Sequence, residues 1–169
     1  MTMSRAPRRT GPCPYLSDAP SMSVYDLWSP TFSAADYEAM LPSAWRRSGY
    51  SFYRPSCGAC SRCVPIRVDA DRYEPTASQR RAARRNADLV VEPLPLEFTE
   101  ERFELYEAYR RMRFGKATED DAYLARAAYS AFLVQNPLDG ALAVDYRLPP
   151  EGAGRGRLVA TGYVDVLPE

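Results

Sequence analysis

The spacing of apolar residues along the chain predicts both helices and strands. Apolar side chains three and four residues apart indicate amphipathic helices, and alternation of apolar with polar positions indicates strands. Helical spacing of Phe103, Tyr106 and Arg110 predicts a helix over residues 99–114, and helix-forming residues predict one over 78–87. Further helices are predicted over residues 33–41 and 121–134. Alternating or aromatic segments predict strands over residues 50–54, 64–68, 89–91, 142–147 and 156–167. This order of elements predicts an α+β fold with antiparallel strands.

Capping residues support the predicted helix starts. Ser33 is the predicted N-cap of the first helix. Asp36, three residues later, takes the place of the Glu or Gln that usually completes a capping box. Thr76 or Ser78 can cap the second helix, and Thr99 caps the third.

Two expectations about topology follow from the predicted strands. The strands at 50–54 and 64–68 are expected to pair, which places the cysteine-rich residues 57–63 in the turn between them. The last strand, 156–167, is expected to be an edge strand with no successor, which is unusual in a complete domain. We therefore expect the chain to stop inside a domain.

The chain is neutral overall, but its charge is distributed unevenly. Residues 1–85 contain 13 arginines and 7 carboxylates, whereas residues 86–169 contain 9 cations and 15 carboxylates. A basic first half favours contact with nucleic acid. No apolar run approaches the roughly 20 residues needed to cross a bilayer, and the arginine-rich N-terminus does not resemble a secretory signal. We expect a cytoplasmic protein that does not interact with membranes.

The chain contains no histidine. This excludes Ser-His-Asp and Cys-His catalysis and any histidine-ligated metal. Carboxylates, tyrosines, cysteines and Lys116 remain as acid–base groups, and the sequence assigns no catalytic residue among them.

Three of the four cysteines lie in a C-x2-C-x2-C motif. These are Cys57, Cys60 and Cys63, and Cys13 is the fourth. Four thiolates are the ligand set of a tetrahedral zinc site or of an iron–sulfur cluster, and the two-residue spacing lets neighbouring sulfurs reach one ion. Buried free thiols and a redox-active pair are the alternatives that spacing alone leaves open.

The predicted helix at 78–87 is strongly basic. Arg80 and Arg84 share one face, and Arg81 and Arg85 share the adjacent face. Like charges at this spacing repel each other unless an anion is close, and guanidinium groups bind phosphates bidentately. The helix is either a nucleic-acid contact or a solvated surface.

Several short motifs follow one another along the chain. They are Cys-Pro-Tyr-Leu at 13–16, Trp-Arg-Arg-Ser-Gly at 45–49, Tyr-Arg-Pro at 53–55 before the cysteine motif, Val-Pro-Ile-Arg-Val at 64–68, Ser-Gln-Arg-Arg at 78–81, Arg-Arg-Asn at 84–86 and the strand pattern at 158–167. In this order they resemble bacterial aspartate/glutamate leucyltransferases, of the leucyl/arginyl-tRNA–protein transferase family.

The chain is expected to have three segments. The arginine-rich residues 1–12 themselves indicate a flexible basic tail, and by resemblance residues 13–95 would be an N-terminal transferase domain with the cysteines and the basic helix. Residues 96–169 would be the first part of a GNAT-like acyltransferase domain that continues in the family. Because part of the aminoacyl-tRNA pocket would then be missing, the chain alone is expected to be a poor catalyst.

The resemblance also implies a reaction. Leucine, or less often arginine, moves from charged tRNA to the N-terminal Asp or Glu of a protein, which enters that protein into the N-degron pathway of degradation. The partners are leucyl-tRNA and protein substrates with such termini. The tRNA ester is already activated, so the chemistry requires positioning and no cofactor.

The guanidinium group of arginine can bind both the carboxylate of an acidic acceptor and the phosphates of tRNA. The acceptor-binding candidates are Arg46, Arg47, Arg54 and Arg67. The tRNA-binding candidates are Arg80, Arg81, Arg84 and Arg85.

Two other functions are compatible with the same residues. The cysteines and the basic helix would suffice for a non-enzymatic RNA-binding zinc module, which would bind tRNA without transferring its amino acid. A redox sensor built on a C-x2-C pair would instead form a reversible disulfide without a metal.

Overall fold

A computed structural model describes residues 8–16, 21–115, 119 and 121–168. These residues form two compact units. The first contains the described residues up to Ile66, together with Ala131–Asp139 and the last two described residues. The second contains the described residues of Arg67–Ser130 and of Gly140–Val166. No described helix is long and apolar enough to span a membrane.

The first unit is a four-stranded antiparallel sheet with one short helix. Its elements are β1 (Arg8–Gly11), β2 (Met22–Trp28), α1 (Ala34–Met40), a 3₁₀ turn (Leu41–Ser43), β3 (Arg46–Ser48) and β4 (Ser51–Pro55). The strand order is β1-β2-β4-β3, so β2 and β4 are the central strands. The predicted capping box is confirmed, because Ser33 and Asp36 exchange side-chain and backbone hydrogen bonds at the start of α1.

The register of this sheet gives it two different faces. Directly opposed residues share a face, and successive residues alternate between faces. Tyr25, Leu27 and Phe52 face the hydrophobic core. The other side, which we call the open face, carries Arg9, Met22, Val24, Asp26, Arg46, Ser48, Ser51 and Tyr53.

Phe52 is the centre of the core of the first unit and is fully buried. Its ring lies 4.8 Å from that of Phe32 and 5.4 Å from that of Tyr37 on α1. The other buried members are Met40, Trp45 and Leu138. Burying a large apolar side chain contributes about 1.5–3 kcal/mol, so these contacts hold α1 against the sheet.

The turn between β3 and β4 packs closely against residues 131–139. Gly49 has a φ of +57°, and a Cβ there would lie 2.1 Å from the carbonyl oxygen of Ala131. Both the backbone angle and the close approach require glycine. This gives a structural reason for the glycine that ends the Trp-Arg-Arg-Ser-Gly motif.

The second unit combines a three-stranded antiparallel sheet with helices. Its elements are α2 (Ala77–Arg85), β5 (Val90–Pro95), α3 (Glu100–Phe114), α4 (Ala122–Tyr129), β6 (Leu142–Arg147) and β7 (Leu158–Val164), and a π-helical turn (Ser130–Val134) follows α4. The strand order is β5-β6-β7. Within the described residues β7 is therefore an edge strand, as predicted.

Side-chain caps begin the helices of the second unit. Thr76 and Gln79 form a complete capping box at α2. Thr99 accepts a hydrogen bond from the backbone at α3, and Asp121 does so at α4. The predicted helices and the strand at 142–147 are confirmed, because their signals are local in sequence.

Tyr129 anchors an aromatic cluster in the second unit. Its ring lies 5.1–5.8 Å from those of Phe98, Phe103 and Tyr106. Its hydroxyl lies 2.6 Å from that of Tyr163 on β7. Burial and this hydrogen bond raise the pKa of Tyr129 far above its usual value, so its hydroxyl is neutral and structural.

A buried ionic network joins α3 to β6. Arg102 donates to both oxygens of Asp145, at 2.9 and 3.3 Å, and all three side chains of Arg102, Asp145 and Arg147 are buried. Arg147 also pairs with Glu101 at 2.6 Å, and the Thr161 hydroxyl donates to Asp145 at 3.0 Å. Burial tends to raise the pKa of Asp145, but hydrogen bonds from Arg102 and Thr161 outweigh it and lower that pKa.

Two sequence predictions about the first unit are wrong. Residues 64–68 do not form a strand, and β4 pairs instead with β2 and β3. Val64, Ile66 and Val68 are 70%, 88% and 69% exposed, and Pro65 between them cannot donate to a ladder. The cysteine motif consequently follows β4 in a segment without regular structure, not in a hairpin turn.

The expected segment boundaries also differ from the observed units. Residues 8–11 of the expected tail form β1, because they pair with β2; residues 1–7 lie outside the described part. The expected boundary between residues 95 and 96 falls within the second unit, between β5 and α3.

We predict that Asp145→Asn destabilises the protein by roughly 3–5 kcal/mol at neutral pH, because two buried arginines lose their shared counter-charge. The folded-state pKa of Asp145 is lowered, so its contribution is present above the unfolded-state pKa and is lost as the pH falls below about 4. Urea unfolding of both proteins between pH 7 and 3 should show the difference narrowing with acid. Asp88→Asn, which removes an exposed carboxylate, is the control. A difference independent of pH would contradict the assigned ionisation.

Candidate functional site

All four cysteines line one cavity of about 320 Å³ in the first unit, which we call the cysteine cavity. Both β1 and β4 run antiparallel to β2, so both leave the sheet beside the first residues of β2. Cys13 follows the end of β1, and Cys57 follows the end of β4. Strand pairing thus brings the distant Cys13 to the C-x2-C-x2-C motif.

The thiols in this cavity are free. Cys57 accepts a hydrogen bond from the backbone N–H of Ser23 at 3.4 Å, and its thiol is 3.8 Å from the Ser23 carbonyl oxygen. Cys60 is exposed, and the other three cysteines are half-buried.

The cysteine cavity has the donor chemistry of a zinc or iron–sulfur site. Among the described residues, however, no three Cys, Asp or Glu side chains are already gathered at one point in a way that would hold a metal ion. Metal binding therefore stays a prediction.

The four acceptor-binding candidates occupy different places. Arg54 lies over the rings of Tyr25 and Trp45, at 5.3 and 5.5 Å. Arg47 donates to the carbonyl oxygen of Gly49 at 2.9 Å. Both arginines have structural roles on the core side of the sheet.

The other two candidates are more available. Arg46 lies on the open face and also lines the cysteine cavity. Arg67 is exposed and belongs to the second unit. Of the three candidates in the first unit, Arg46 alone combines the open face with a cavity.

A larger cavity, of about 610 Å³, lies over the open face. We call it the open-face cavity. Its lining includes an ion pair in which Arg9 Nη2 and Asp26 Oδ2 are 2.7 Å apart. The Ser51 hydroxyl donates to the second oxygen of Asp26. Apolar side chains, among them Val24 and Phe132, form other parts of the wall.

Sequence reasoning missed this ion pair. Arg9 lies in the segment expected to be a tail, and Asp26 lies in a strand that was not predicted. A carboxylate at an interior position of an otherwise apolar and aromatic run was the available signal.

The four tRNA-binding candidates all lie on α2 and are exposed. Arg80 donates to the carbonyl oxygen of Pro75, and no carboxylate among the described residues pairs with any of the four. Arg84 and Arg85 lie in the last turn, where the helix dipole favours cations. The helix therefore presents positive charge that the described residues do not neutralise.

Comparison with known proteins shows which sequences this chain resembles. Residues 11–81, which include the cysteine motif and the start of α2, match the family model "Arginine-tRNA-protein transferase, N terminus".

Relatives named aspartate/glutamate leucyltransferase match most of the chain. The protein from Polynucleobacter asymbioticus is 35% identical over 92% of this chain and 62% of its own length. The protein from Methylobacillus flagellatus is 36% identical over 80% of this chain and 53% of its own length. The protein from Sphingopyxis alaskensis is 36% identical over 91% of this chain and 59% of its own length.

The chain thus spans between half and two thirds of the length of these relatives. Residues 11–81 are therefore similar to the N-terminal part of arginine-tRNA–protein transferases, and most of the chain is similar to bacterial proteins named aspartate/glutamate leucyltransferase.

Proposed function

We propose that this protein acts in transferring leucine from leucyl-tRNA to an N-terminal Asp or Glu of acceptor proteins, as a cytoplasmic step of the N-degron pathway. The observation that carries this proposal is the similarity over most of the chain to relatives named for that transfer. Leucine is preferred over arginine because those relatives are named leucyltransferases, although the family model is named for arginine.

The reaction needs positioning more than a reactive side chain. The acceptor α-amine loses a proton and attacks the ester carbonyl of the aminoacyl group. A C–N bond forms, the ester C–O bond breaks, and the terminal tRNA hydroxyl leaves with a proton. Because the ester is activated, holding the two substrates together supplies much of the rate enhancement. A chain without histidine is compatible with this chemistry.

Features of both units suit this task. The unneutralised arginines of α2 support a contact with tRNA phosphates. The antiparallel sheet of β5, β6 and β7 with α3 and α4 suits the start of a GNAT-like acyltransferase domain, which we propose for the later part of the chain. The cysteine cavity supports a structural zinc ion or an iron–sulfur cluster that would fix the segment after β4.

A non-enzymatic RNA-binding module is the second candidate. The exposed, unneutralised arginines of α2 and the shared cavity of the four cysteines would be sufficient for it. It differs from the transferase in being indifferent to the amino acid carried by the tRNA.

Radiolabelled leucine transfer distinguishes these candidates. The donor is leucyl-tRNA, and the acceptors are peptides beginning with Asp, Glu or Ala. This chain is compared with a version extended by the part of the Polynucleobacter relative that the match does not cover. We expect transfer to Asp and Glu peptides by the extended form, little by the chain alone, and none to Ala peptides. Full transfer by the chain alone would contradict the proposed division, and tRNA binding without transfer by either form would favour the RNA-binding module.

We predict that α2 contributes phosphate contacts to tRNA binding. The double variant Arg80→Ala, Arg84→Ala should weaken binding and lower the slope of log Kd against log salt by roughly 0.7–0.9 per lost contact. Arg111→Ala with Arg113→Ala, which removes two exposed arginines from α3, is the matched control. A slope for the α2 double variant equal to that of the unaltered protein would move the tRNA site away from α2.

We predict that the cysteine cavity binds one zinc ion or one iron–sulfur cluster. Anaerobically purified protein should contain metal by elemental analysis, and Cys13→Ser should reduce its content as strongly as Cys57→Ser, because Cys13 lines the same cavity. Folded, metal-free protein with four titratable thiols is the result that would refute this.

A further inference from the structure

The Arg9–Asp26 pair combines a fixed anion with a movable cation. The side chain of Asp26 is 18% exposed, whereas that of Arg9 is 73% exposed. Asp26 lies on the central strand β2 and is held by the hydroxyl of Ser51 on β4. Arg9 lies on the edge strand β1, and water can solvate its exposed guanidinium group when the pair opens. Arg9 can therefore exchange Asp26 for the carboxylate of a ligand, provided that the ligand also supplies a cation to Asp26.

The open-face cavity, at about 610 Å³, lies in the size range of small-ligand sites, ~300–1,000 Å³. Such sites combine apolar walls with a few polar groups that fix orientation. Here the polar groups include a carboxylate and a guanidinium 2.7 Å apart. A ligand that matches both groups carries a cation and an anion a few bonds apart.

An N-terminal Asp or Glu has this chemistry, because its α-ammonium group and its side-chain carboxylate are a few bonds apart. We propose that the open-face cavity binds the acceptor N-terminus, with the α-ammonium on Asp26 and the side-chain carboxylate on Arg9. The choice of ligand rests on the transferase function proposed above. The terminal residue inserts between the two partners and replaces one ion pair with two.

This assignment differs from the arginines that the sequence suggested. Arg47 and Arg54 donate to backbone carbonyl groups or stack on aromatic rings. Arg46 lies on the same face but does not line the open-face cavity. Asp26 adds what an arginine cannot provide, which is a partner for the free amine.

Peptide binding to the full chain tests the proposal independently of leucine transfer. Four peptides carry a fluorophore at the C-terminus and begin with Asp, Asn, Ala or N-acetyl-Asp, and anisotropy gives each Kd. On the unaltered protein, acetylation and the Asp-to-Asn change should each weaken binding about tenfold or more, because each removes a charge-assisted hydrogen bond. This comparison needs no variant and so does not depend on the folding of one.

Two variants then assign the two charges. Asp26→Asn should bind free and acetylated Asp peptides with Kd values within a factor of about two. Arg9→Gln should do the same for Asp and Asn peptides, while retaining discrimination against acetylation. Arg8→Gln is the matched control, because Arg8 lies on the same strand but donates to the Ser56 carbonyl outside the cavity lining. It should discriminate as the unaltered protein does, and circular dichroism verifies that all three variants are folded.

Failure of the proposed site and failure of the transferase function give different results. Retained discrimination in Asp26→Asn and Arg9→Gln, or no binding of any peptide at millimolar concentration, overturns the assignment even if leucine transfer succeeds. Loss of Asp-over-Asn discrimination in Arg46→Gln, with Arg9→Gln unaffected, moves the carboxylate site to Arg46 and also overturns it. Discrimination that depends on Asp26 and Arg9 without leucine transfer by the extended form supports the site and contradicts the transferase function.

Discussion

The pairing of β2 with both β1 and β4 is the constraint on which the first unit depends. Because its two neighbours run in the same direction, the chain leaves both of them at one end of the sheet. That geometry brings Cys13 to the C-x2-C-x2-C motif and places Arg9 beside Asp26. Neither arrangement follows from contacts local in sequence, so both exist only when β1 is docked.

The same register places some charged side chains in contacts within the fold and leaves others facing a cavity or solvent. On the core side, Arg47 donates to a backbone carbonyl group, and Arg54 lies over an aromatic ring. On the open face, Asp26 faces a cavity with an exposed partner. The second unit has a similar division: Arg102 is buried in its ionic network, while the arginines of α2 face outward. A chain of zero net charge thus presents charged groups of both signs on its described surface.

The sequence predicts elements whose signals are local, and it misses elements that exist only because distant parts of the chain pair. Capping boxes at Ser33 and Thr76 are local signals, and the helices that they begin and the strand at 142–147 agree closely with the predicted bounds. β1 has the sequence Arg-Arg-Thr-Gly, which has no apolar alternation, and it is a strand only because β2 pairs with it. Residues 64–68 have the opposite property: they alternate, but their apolar side chains are exposed and they have no strand partner. The cysteine motif was visible from spacing, whereas the Arg9–Asp26 pair required the register.

The register of β1 on β2 can be measured directly by nuclear Overhauser spectroscopy on isotope-labelled protein. Cross-strand contacts between Thr10 and Ser23 and between Val24 and Pro55 are expected, because each pair is directly opposed. The hydroxyls of Thr10 and Ser23 are 3.0 Å apart. Observation of both contacts would support the shared cysteine cavity and the open-face ion pair. Absence of the Thr10–Ser23 contact, with the Val24–Pro55 contact present, would mean that β1 is undocked and would contradict both sites.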